Sequence, residues 1–238
     1  MKIFHVATVA ISLAAISSRS WCAPPLATDD ASTLAPGMCQ LETEQRRFRH
    51  RVESDIFSAC NLFFDAEISL GYQRAAANAT PRADSIVYQF KKVVGPVSAD
   101  EWAFGIAAAT VRAVNEKSRD HSGTRQNSVN ALASRQFGAT ALHLNIGNVS
   151  NHEAAPGSRK NRLAWNIATE HDASARWTLV GEVFGQRGLP ATGQVGLRWW
   201  AVPKYLQLTT SLGAQRGEGR DGRWLSFGVR FETGNAIY

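Results

Sequence analysis

The chain lacks the motifs of an enzyme that works with a nucleotide, a metal or a redox-active thiol pair. Its 238 residues contain no glycine-rich phosphate-binding loop and no cluster of side chains at metal-ligand spacing. Only three cysteines occur, and no two of them have the spacing of a redox pair. We therefore expect no cofactor, no metal and no catalytic residue of these kinds.

A large excess of charge of one sign is also missing. Lys and Arg total 26 against 20 Asp and Glu, which gives a formal net charge of +6. Residues 46–51 (RRFRHR) form the one basic block of the chain. Because a single short block is a weak indication of nucleic-acid binding, we expect no nucleic-acid partner.

The chain has no apolar run of the roughly 18 residues that a membrane-spanning helix needs. Its longest apolar stretch, residues 6–16, follows Lys2 and is followed by small residues and prolines at 17–27. This order is typical of a secretory signal peptide, and we predict that residues 1–27 are removed, with the cleavage between Cys22 and Ala27. A lipid anchor at Cys22 is disfavoured because Trp21 precedes it.

Cleavage leaves about 210 residues, enough for one domain, and lowers the net charge from +6 to about +4 because Lys2 and Arg19 are lost. Export would place the remaining Cys39 and Cys60 in an oxidising compartment. The two are therefore a candidate disulfide pair, and two free thiols are the alternative.

Apolar and polar residues alternate from residue 65 to residue 231. Residues 223–231 (RWLSFGVRF) put Leu225, Phe227, Val229 and Phe231 on one face and Trp224, Ser226, Gly228 and Arg230 on the other. Such alternation indicates β-strands. Recurrent glycines and the lack of a 3.6-residue apolar stripe argue against helices, except for a brief one at residues 98–103.

The same pattern predicts twelve strands, at residues 40–48, 52–63, 65–76, 84–94, 101–114, 127–137, 139–151, 161–172, 176–186, 191–201, 205–216 and 223–231. Ten strands are the alternative if residues 40–63 form an irregular plug or arm. As a hairpin, that stretch brings Cys39 opposite Cys60. Short and longer polar connections alternate along the chain, as in outer-membrane barrels, with residues 95–100 the exception.

Strand length and aromatic placement favour lipid around the apolar face. The segments run about ten to thirteen residues, as a tilted bilayer-spanning strand needs, against ~5–6 in soluble proteins. Aromatic residues lie near segment ends, where girdles form: Trp102, Trp177, Trp199, Tyr205 and Trp224. We predict an all-β, antiparallel up-and-down transmembrane barrel over residues 39–238, located in the outer membrane. A soluble β-sandwich is the alternative.

Residues 28–38 are expected to form an N-terminal periplasmic segment. The expected partners of the barrel are outer-membrane lipid, a small-molecule solute, and the barrel-assembly machinery, which would bind through the C-terminal strand.

Two stretches resemble the outer-membrane barrels grouped with the phenol-degradation-pathway transporters. They are residues 143–187, with HLNIG and RWTLVGEVFG, and residues 194–231, with GLRWWAVPKYLQL. The resemblance covers roughly residues 60–232. It implies a twelve-stranded barrel and a channel for hydrophobic or aromatic compounds. Residues 37–60, which are more charged and contain cysteine, depart from the pattern.

The side chains that face the inside of a barrel determine its function. Strand parity predicts a lumen lined by Glu67, Lys91, His143, Asn145, Asn166, Glu182, Arg198, Gln207 and Arg230. We expect Glu182 and Arg198 to pair across neighbouring strands. Such a pair would act either as a charged constriction that selects solutes or as a structural ion pair that fills the lumen.

Three function classes remain open. The first is a passive channel or a binding barrel for a small solute, which could be hydrophobic, and the second is a structural or surface-interaction barrel with a filled lumen. The third is an outer-membrane lipid hydrolase, which needs a His close to a Ser on the outer face. Ser150 and His152 have this spacing, but Asn148 stands where such enzymes place their His.

Overall fold

A computed structural model describes residues 26–63, 65–77, 80–95, 97–99, 101–114, 124–152 and 160–233. Nearly all of the expected signal peptide lies outside these residues, so the signal peptide stays a prediction. Most of the longer connections expected at 115–125 and 152–160 lie outside them as well.

Twelve strands account for most of the described chain. They are β1 Cys39–Phe48, β2 Arg51–Phe63, β3 Ala66–Ala77, β4 Thr80–Val94, β5 Ala103–Val114, β6 Thr124–Phe137, β7 Thr140–Asn151, β8 Asn161–Asp172, β9 Trp177–Gln186, β10 Thr192–Val202, β11 Leu206–Gln215 and β12 Arg223–Glu232. Each strand pairs antiparallel with the next, and β12 pairs with β1, so the sheet closes on itself. The predicted twelve-stranded barrel is confirmed, and the first hairpin belongs to its wall.

Two other expectations about elements are settled by the described residues. The brief helix considered at 98–103 is wrong, because residues 98–99 and 101–102 are irregular and β5 begins at Ala103. Within the described ranges, no helix is long and apolar enough to cross a membrane.

The two-residue alternation gives the wall an apolar outside and a polar inside. In β12, Leu225, Phe227 and Phe231 are exposed, whereas Ser226 and Arg230 are buried. Large exposed apolar side chains recur on the other strands, among them Leu41, Ile56, Ile68, Leu70, Tyr88, Phe90, Phe104, Ile106, Val129, Ile146, Leu163, Ile167, Leu179, Val183, Val195 and Leu212. A continuous apolar surface of this extent suits lipid, not water. The soluble sandwich is therefore excluded as the architecture.

Aromatic rings gather at the end of the barrel that carries the short turns 138–139, 173–176 and 203–205. Trp177 stacks on Trp199 with ring centroids 5.7 Å apart, and Trp102 meets Phe137 edge-on at 6.5 Å. Tyr205 is half exposed at the same end. These rings lie where an interfacial girdle is expected.

Trp224 does not belong to the girdle, although its place near a strand end predicted so. Its side chain is buried on the inner face of β12, beside Phe48, at 5.4 Å between ring centroids. The ring covers Gly213 of β11 so closely that a Cβ atom there would overlap it. Parity sets the direction of Trp224, because it alternates with the outward-facing Leu225.

A disulfide joins Cys39 and Cys60, which are directly opposite each other in the β1–β2 register. The disulfide lies at the open end of the hairpin, and its two cysteines are 21 residues apart in sequence.

We expect the double variant Cys39→Ala/Cys60→Ala to lose about 3 kcal/mol of unfolding free energy, since the cross-link restricts the unfolded chain. Urea titration of the folded gel band measures this. Reductant should lower the wild-type midpoint alone, and equal midpoints for both proteins would contradict the expectation.

Candidate functional site in the barrel lumen

Residues 26–38, the lumen segment, run along the inside of the barrel. Four of its side chains are fully buried: Thr28, Asp30, Ala31 and Leu34 are each at most 3% exposed. From sequence alone, residues 28–38 are expected to form a periplasmic segment. In the structure they lie against the inner wall because lumen side chains satisfy their backbone polar groups.

Hydrogen bonds and one apolar contact hold the part of the lumen segment from Ala31 to Leu34. Asn61 donates a hydrogen bond from Nδ2 to the Leu34 carbonyl at 2.6 Å, and the Leu34 amide donates to Glu67 Oε2 at 3.3 Å. The Ala31 amide donates to Ser134 Oγ at 2.8 Å. Ala31 also packs in a small apolar cluster, whose other buried members are Ala103, Ala107 and Leu132.

Lys91 forms an ion pair with Asp30 of the lumen segment. Its Nζ lies 3.3 Å from Asp30 Oδ1 and 3.8 Å from Glu67 Oε1. The preceding residue of the segment, Asp29, is also held, because Gln89 donates from Nε2 to its carboxylate at 3.2 Å. Lys91 is only 2% exposed, so a cation that is out of contact with bulk water is balanced by two carboxylates.

Glu182 holds the N-terminal end of the segment, at Ala27 and Thr28. Its Oε1 accepts from the Ala27 amide at 2.7 Å, and its Oε2 accepts from the Thr28 amide at 3.0 Å and from Thr28 Oγ1 at 2.6 Å. Gln194 Nε2 donates to Oε1 at 2.5 Å from the neighbouring strand. Asn166 donates from Nδ2 to the Ala27 carbonyl at 3.0 Å.

The expected cross-strand pair of Glu182 and Arg198 is wrong. The β9–β10 register places Gln194 opposite Glu182, and it places Thr178 opposite Arg198. Arg198 is four positions beyond Gln194, and four positions correspond to about 13 Å along a strand. Arg198 instead forms an ion pair with Glu170 of β8 at 2.7 Å.

His143 is a buried lumen residue that lies beside Glu170, the partner of Arg198. It is 1% exposed; its Nδ1 lies 2.8 Å from Ser134 Oγ, and its Nε2 lies 4.0 Å from Glu170 Oε1. Ser134 therefore links His143 to the Ala31 amide of the segment. The contacts connect Arg198, Glu170 and His143 with the lumen segment through one chain of polar side chains.

Arg230 joins the two strands that close the barrel. Its Nη2 lies 2.6 Å from Glu232 Oε1 and donates to Gln40 Oε1 at 2.7 Å. Its Nε lies 3.5 Å from Glu42 Oε1. Gln40 and Glu42 are on β1, so these contacts cross the β1–β12 seam.

All nine residues that parity predicts for the lumen are on the inner face of the wall. Asn166 is half-buried, and the other eight are at most 6% exposed. The structure brings Glu67, Lys91, Asn166 and Glu182 directly onto the lumen segment. Arg198 and His143 lie one contact further away. Asn145 and Gln207 are buried in the wall.

A cavity of about 440 Å³ remains between the segment and the wall formed by β1–β4. Its lining extends from Gln40, near the start of β1, to Arg46, near its end. Acidic side chains dominate its charged lining, which consists of Asp29, Glu42, Glu44, Asp55, Glu67 and Arg46. Arg46 pairs with two of these acids, at 2.7 Å from Asp55 and 3.1 Å from Glu44.

The lumen residues predicted from sequence do not include the charged side chains of the first hairpin that line the cavity. Parity within residues 40–48 would have found Glu42, Glu44 and Arg46, which alternate with the outward-facing Leu41, Thr43 and Gln45. The signal was present, but it depended on accepting this hairpin as wall.

The candidate hydrolase residues lie on the outer face of the barrel. Ser150 is opposite Asn127 in the β6–β7 register, and Asn127 Nδ2 lies 3.3 Å from His152 Nε2. Among the described contacts, Ser150 forms no hydrogen bond with His152, so the base that would activate a nucleophile does not touch it. The described residues also contain no group of three or more potential metal ligands.

Comparisons with known proteins agree on the fold. A family model described as "Uncharacterised conserved protein UCP029691" matches residues 11–232. No curated protein matches the chain. Among solved structures, the NanC porin is similar with a TM-score of 0.61 at 11% identity, and the KdgM porin with 0.59 at 8% identity. Each comparison covers 81% of this chain and 98% of that one.

A third similar structure is the outer-membrane phospholipase A of Escherichia coli, in the form of an active-site mutant. Its TM-score is 0.51 at 11% identity, and the match covers 90% of this chain and 94% of that one. At such identities the likeness shows the fold alone, which is that of outer-membrane barrels.

Proposed function

The chain belongs to the family described as "Uncharacterised conserved protein UCP029691", and we propose that it acts in the outer membrane as a narrow passive channel that favours cations and small neutral solutes. The exposed apolar belt and the aromatic rings at the short-turn end support this location. The observation that carries the function is the acid-lined cavity beside the lumen segment.

The position of the cavity supports a passage and not a closed pocket. It follows β1 from Gln40 to Arg46, a rise of about 20 Å for six residues of strand. Because strands in such barrels are tilted by about 40°, this length is about 15 Å along the barrel axis, or roughly half of the ~25–30 Å apolar thickness that a barrel spans. A solute would therefore move between the lumen segment and the β1–β4 wall, with the segment setting the width of the passage.

The charge of the lining supports a preference for cations. Five carboxylates and one guanidinium line the cavity, and rings of acidic side chains favour cations in pores. The KdgM porin, one of the similar structures, has been solved in complex with disordered oligogalacturonate, an acidic sugar. The acidic lining argues against a ligand of that charge for this chain.

The resemblance of two stretches of the sequence to phenol-degradation-pathway transporters implies an apolar solute. The cavity gives that idea limited support, because its apolar lining side chains are few: Leu26, Ala27, Phe57 and Ala59. We therefore favour a small polar solute. A barrel filled for structural reasons is the second candidate, since Thr28, Asp30, Ala31 and Leu34 are buried within the lumen.

The experiment is fractionation followed by conductance. A heat-modifiable band in the outer-membrane fraction would identify the barrel in its membrane. Purified barrel should then give small, cation-selective steps in planar bilayers under a KCl gradient. A folded barrel that never conducts would overturn the channel and leave the filled structural barrel.

Removing acids from the cavity should reduce its selectivity. In the double variant Glu44→Gln/Asp55→Asn, we expect the cation-to-anion permeability ratio to fall at least about threefold, because Arg46 then loses its two closest counter-charges. The reversal potential in a salt gradient measures this ratio, and the change should be larger at low salt. Glu218→Gln, in the exposed β11–β12 connection, is the matched control. An unchanged ratio in the double variant would contradict the assignment of the passage.

A further inference from the structure

Glu182 differs from the other fully buried carboxylates of the lumen in the charge of its partners. Its side chain is 4% exposed, and its partners are the Ala27 amide, the Thr28 amide and hydroxyl, and the Gln194 side chain, all of them neutral donors. Within the described part of the chain, no Lys or Arg pairs with it. A carboxylate removed from water without a cation is costly.

The comparison with neighbouring acids shows that this is not the rule for the lumen. Each of the others that is similarly buried has a cationic group within 4 Å: Asp30 and Glu67 have Lys91, Glu44 has Arg46, Glu170 has Arg198, and Glu232 has Arg230. The Glu182 site therefore has room for one more positive charge, and the backbone nitrogens of Ala27 and Thr28 lie 2.7 Å and 3.0 Å from its carboxylate oxygens.

We propose that Glu182 binds the α-ammonium group of the processed chain, which removal of the signal peptide creates by cleaving one of the two peptide bonds of Ala27. Hydrolysis of either bond consumes one water. It leaves a carboxylate on the released leader and an ammonium group on the remaining chain. The new ammonium nitrogen would be Ala27 N, 2.7 Å from Oε1, or Thr28 N, 3.0 Å from Oε2.

The sequence is compatible with this position. Ala27 is a small residue at the end of the stretch of small residues and prolines that follows the apolar run. Because signal peptidases cleave after a small residue, cleavage after Ala27, which makes Thr28 the first residue, fits the sequence best. An α-amino group is largely protonated at neutral pH, and an adjacent carboxylate favours that form. Glu182 thus acts as a receptor for a primary ammonium, and removal of the leader turns its hydrogen bond with this end of the lumen segment into an ion pair.

The first test is the intact mass of the protein, expressed with its own leader and purified from outer membranes. The expected mass corresponds to a chain that begins at Ala27 or Thr28. A mass that begins at Ala23, at the uncleaved Met1 or at any other residue would overturn the proposal. This measurement uses the wild-type protein, so it does not depend on any variant folding.

The second test measures the reactivity of the α-amino group. In the folded barrel, an amine-reactive label at pH 7 should modify the N-terminus at least about tenfold faster in Glu182→Gln than in wild type, because the ammonium has lost its partner. Glu182→Asp should remain closer to wild type. Glu232→Gln, which changes a buried lumen acid that is paired with Arg230 and lies outside the lining of the cavity, is the matched control. Equal labelling of wild type and Glu182→Gln, both verified as folded by heat-modifiable mobility, would overturn the assignment of Glu182.

Discussion

Deletion of residues 29–36 is expected to raise the single-channel conductance of the reconstituted barrel at least about threefold. The lumen segment occupies the interior along its path from Leu34 to Ala27, with the cavity of about 440 Å³ beside it. A twelve-stranded barrel without such a segment encloses an interior wider than side chains alone fill. The deletion retains Thr28 and Gly37, so the residues on both sides of the predicted cleavage bond and the entry to β1 are unchanged.

The control for this prediction separates the loss of volume from the loss of contacts. A variant in which residues 29–36 are replaced by a Gly/Ser chain of equal length keeps the bulk of the backbone but loses the Asp30–Lys91 ion pair. We expect it to conduct with frequent closures, since a flexible chain samples the lumen without a fixed position. If the deletion variant is heat-modifiable and conducts like wild type, the segment does not limit the passage.

The barrel wall could be predicted because its information is local. Alternation with a period of two tells which side chains share a face, and each strand from β5 to β12 carries enough apolar residues to show it. The predicted bounds differ from the structure by only a few residues at most strand ends, as at β4, which begins at Thr80 and not at 84. Connections with left-handed residues, such as Gly138, mark the turns in between.

The lumen segment could not be predicted, because nothing local distinguishes it from a linker. Residues 28–38 (TDDASTLAPGM) are small and polar, without alternation. Their position depends on pairings with residues far away in sequence, such as Ala31 with Ser134 and Thr28 with Glu182, 103 and 154 residues apart. Such contacts appear only when the sheet has closed.

The Glu182–Arg198 expectation failed for a related reason. Parity correctly puts both side chains inside, but it carries no information on their height along the barrel axis. Height depends on the register, which the β9–β10 connection fixes by pairing Thr192 with Phe184. Sequence therefore indicates which charges share the lumen, and the structure is needed to show which of them meet.

Replacement of Arg230 by Met is expected to be the most destabilising single change in the lumen. Arg230 is 1% exposed, and its loss removes the cation that contacts both Glu42 and Glu232. Breaking a buried ion pair in this way costs about 3 kcal/mol. The temperature at which the folded gel band converts to the unfolded band should fall, and conversion should occur at lower urea concentration.

Arg230→Lys should fall between Arg230→Met and wild type, since a lysine keeps the charge but cannot contact Glu232 and Gln40 with the same planar fork. Arg47→Met, on the exposed outer face of β1, makes the same chemical change without removing a lumen charge and should convert like wild type. If Arg230→Met converted at the wild-type temperature, the carboxylates of the seam would have to be hydrated or protonated in the barrel. In that case the backbone pairing of β1 with β12, from Gln40–Glu232 to Phe48–Trp224, would hold the closure alone.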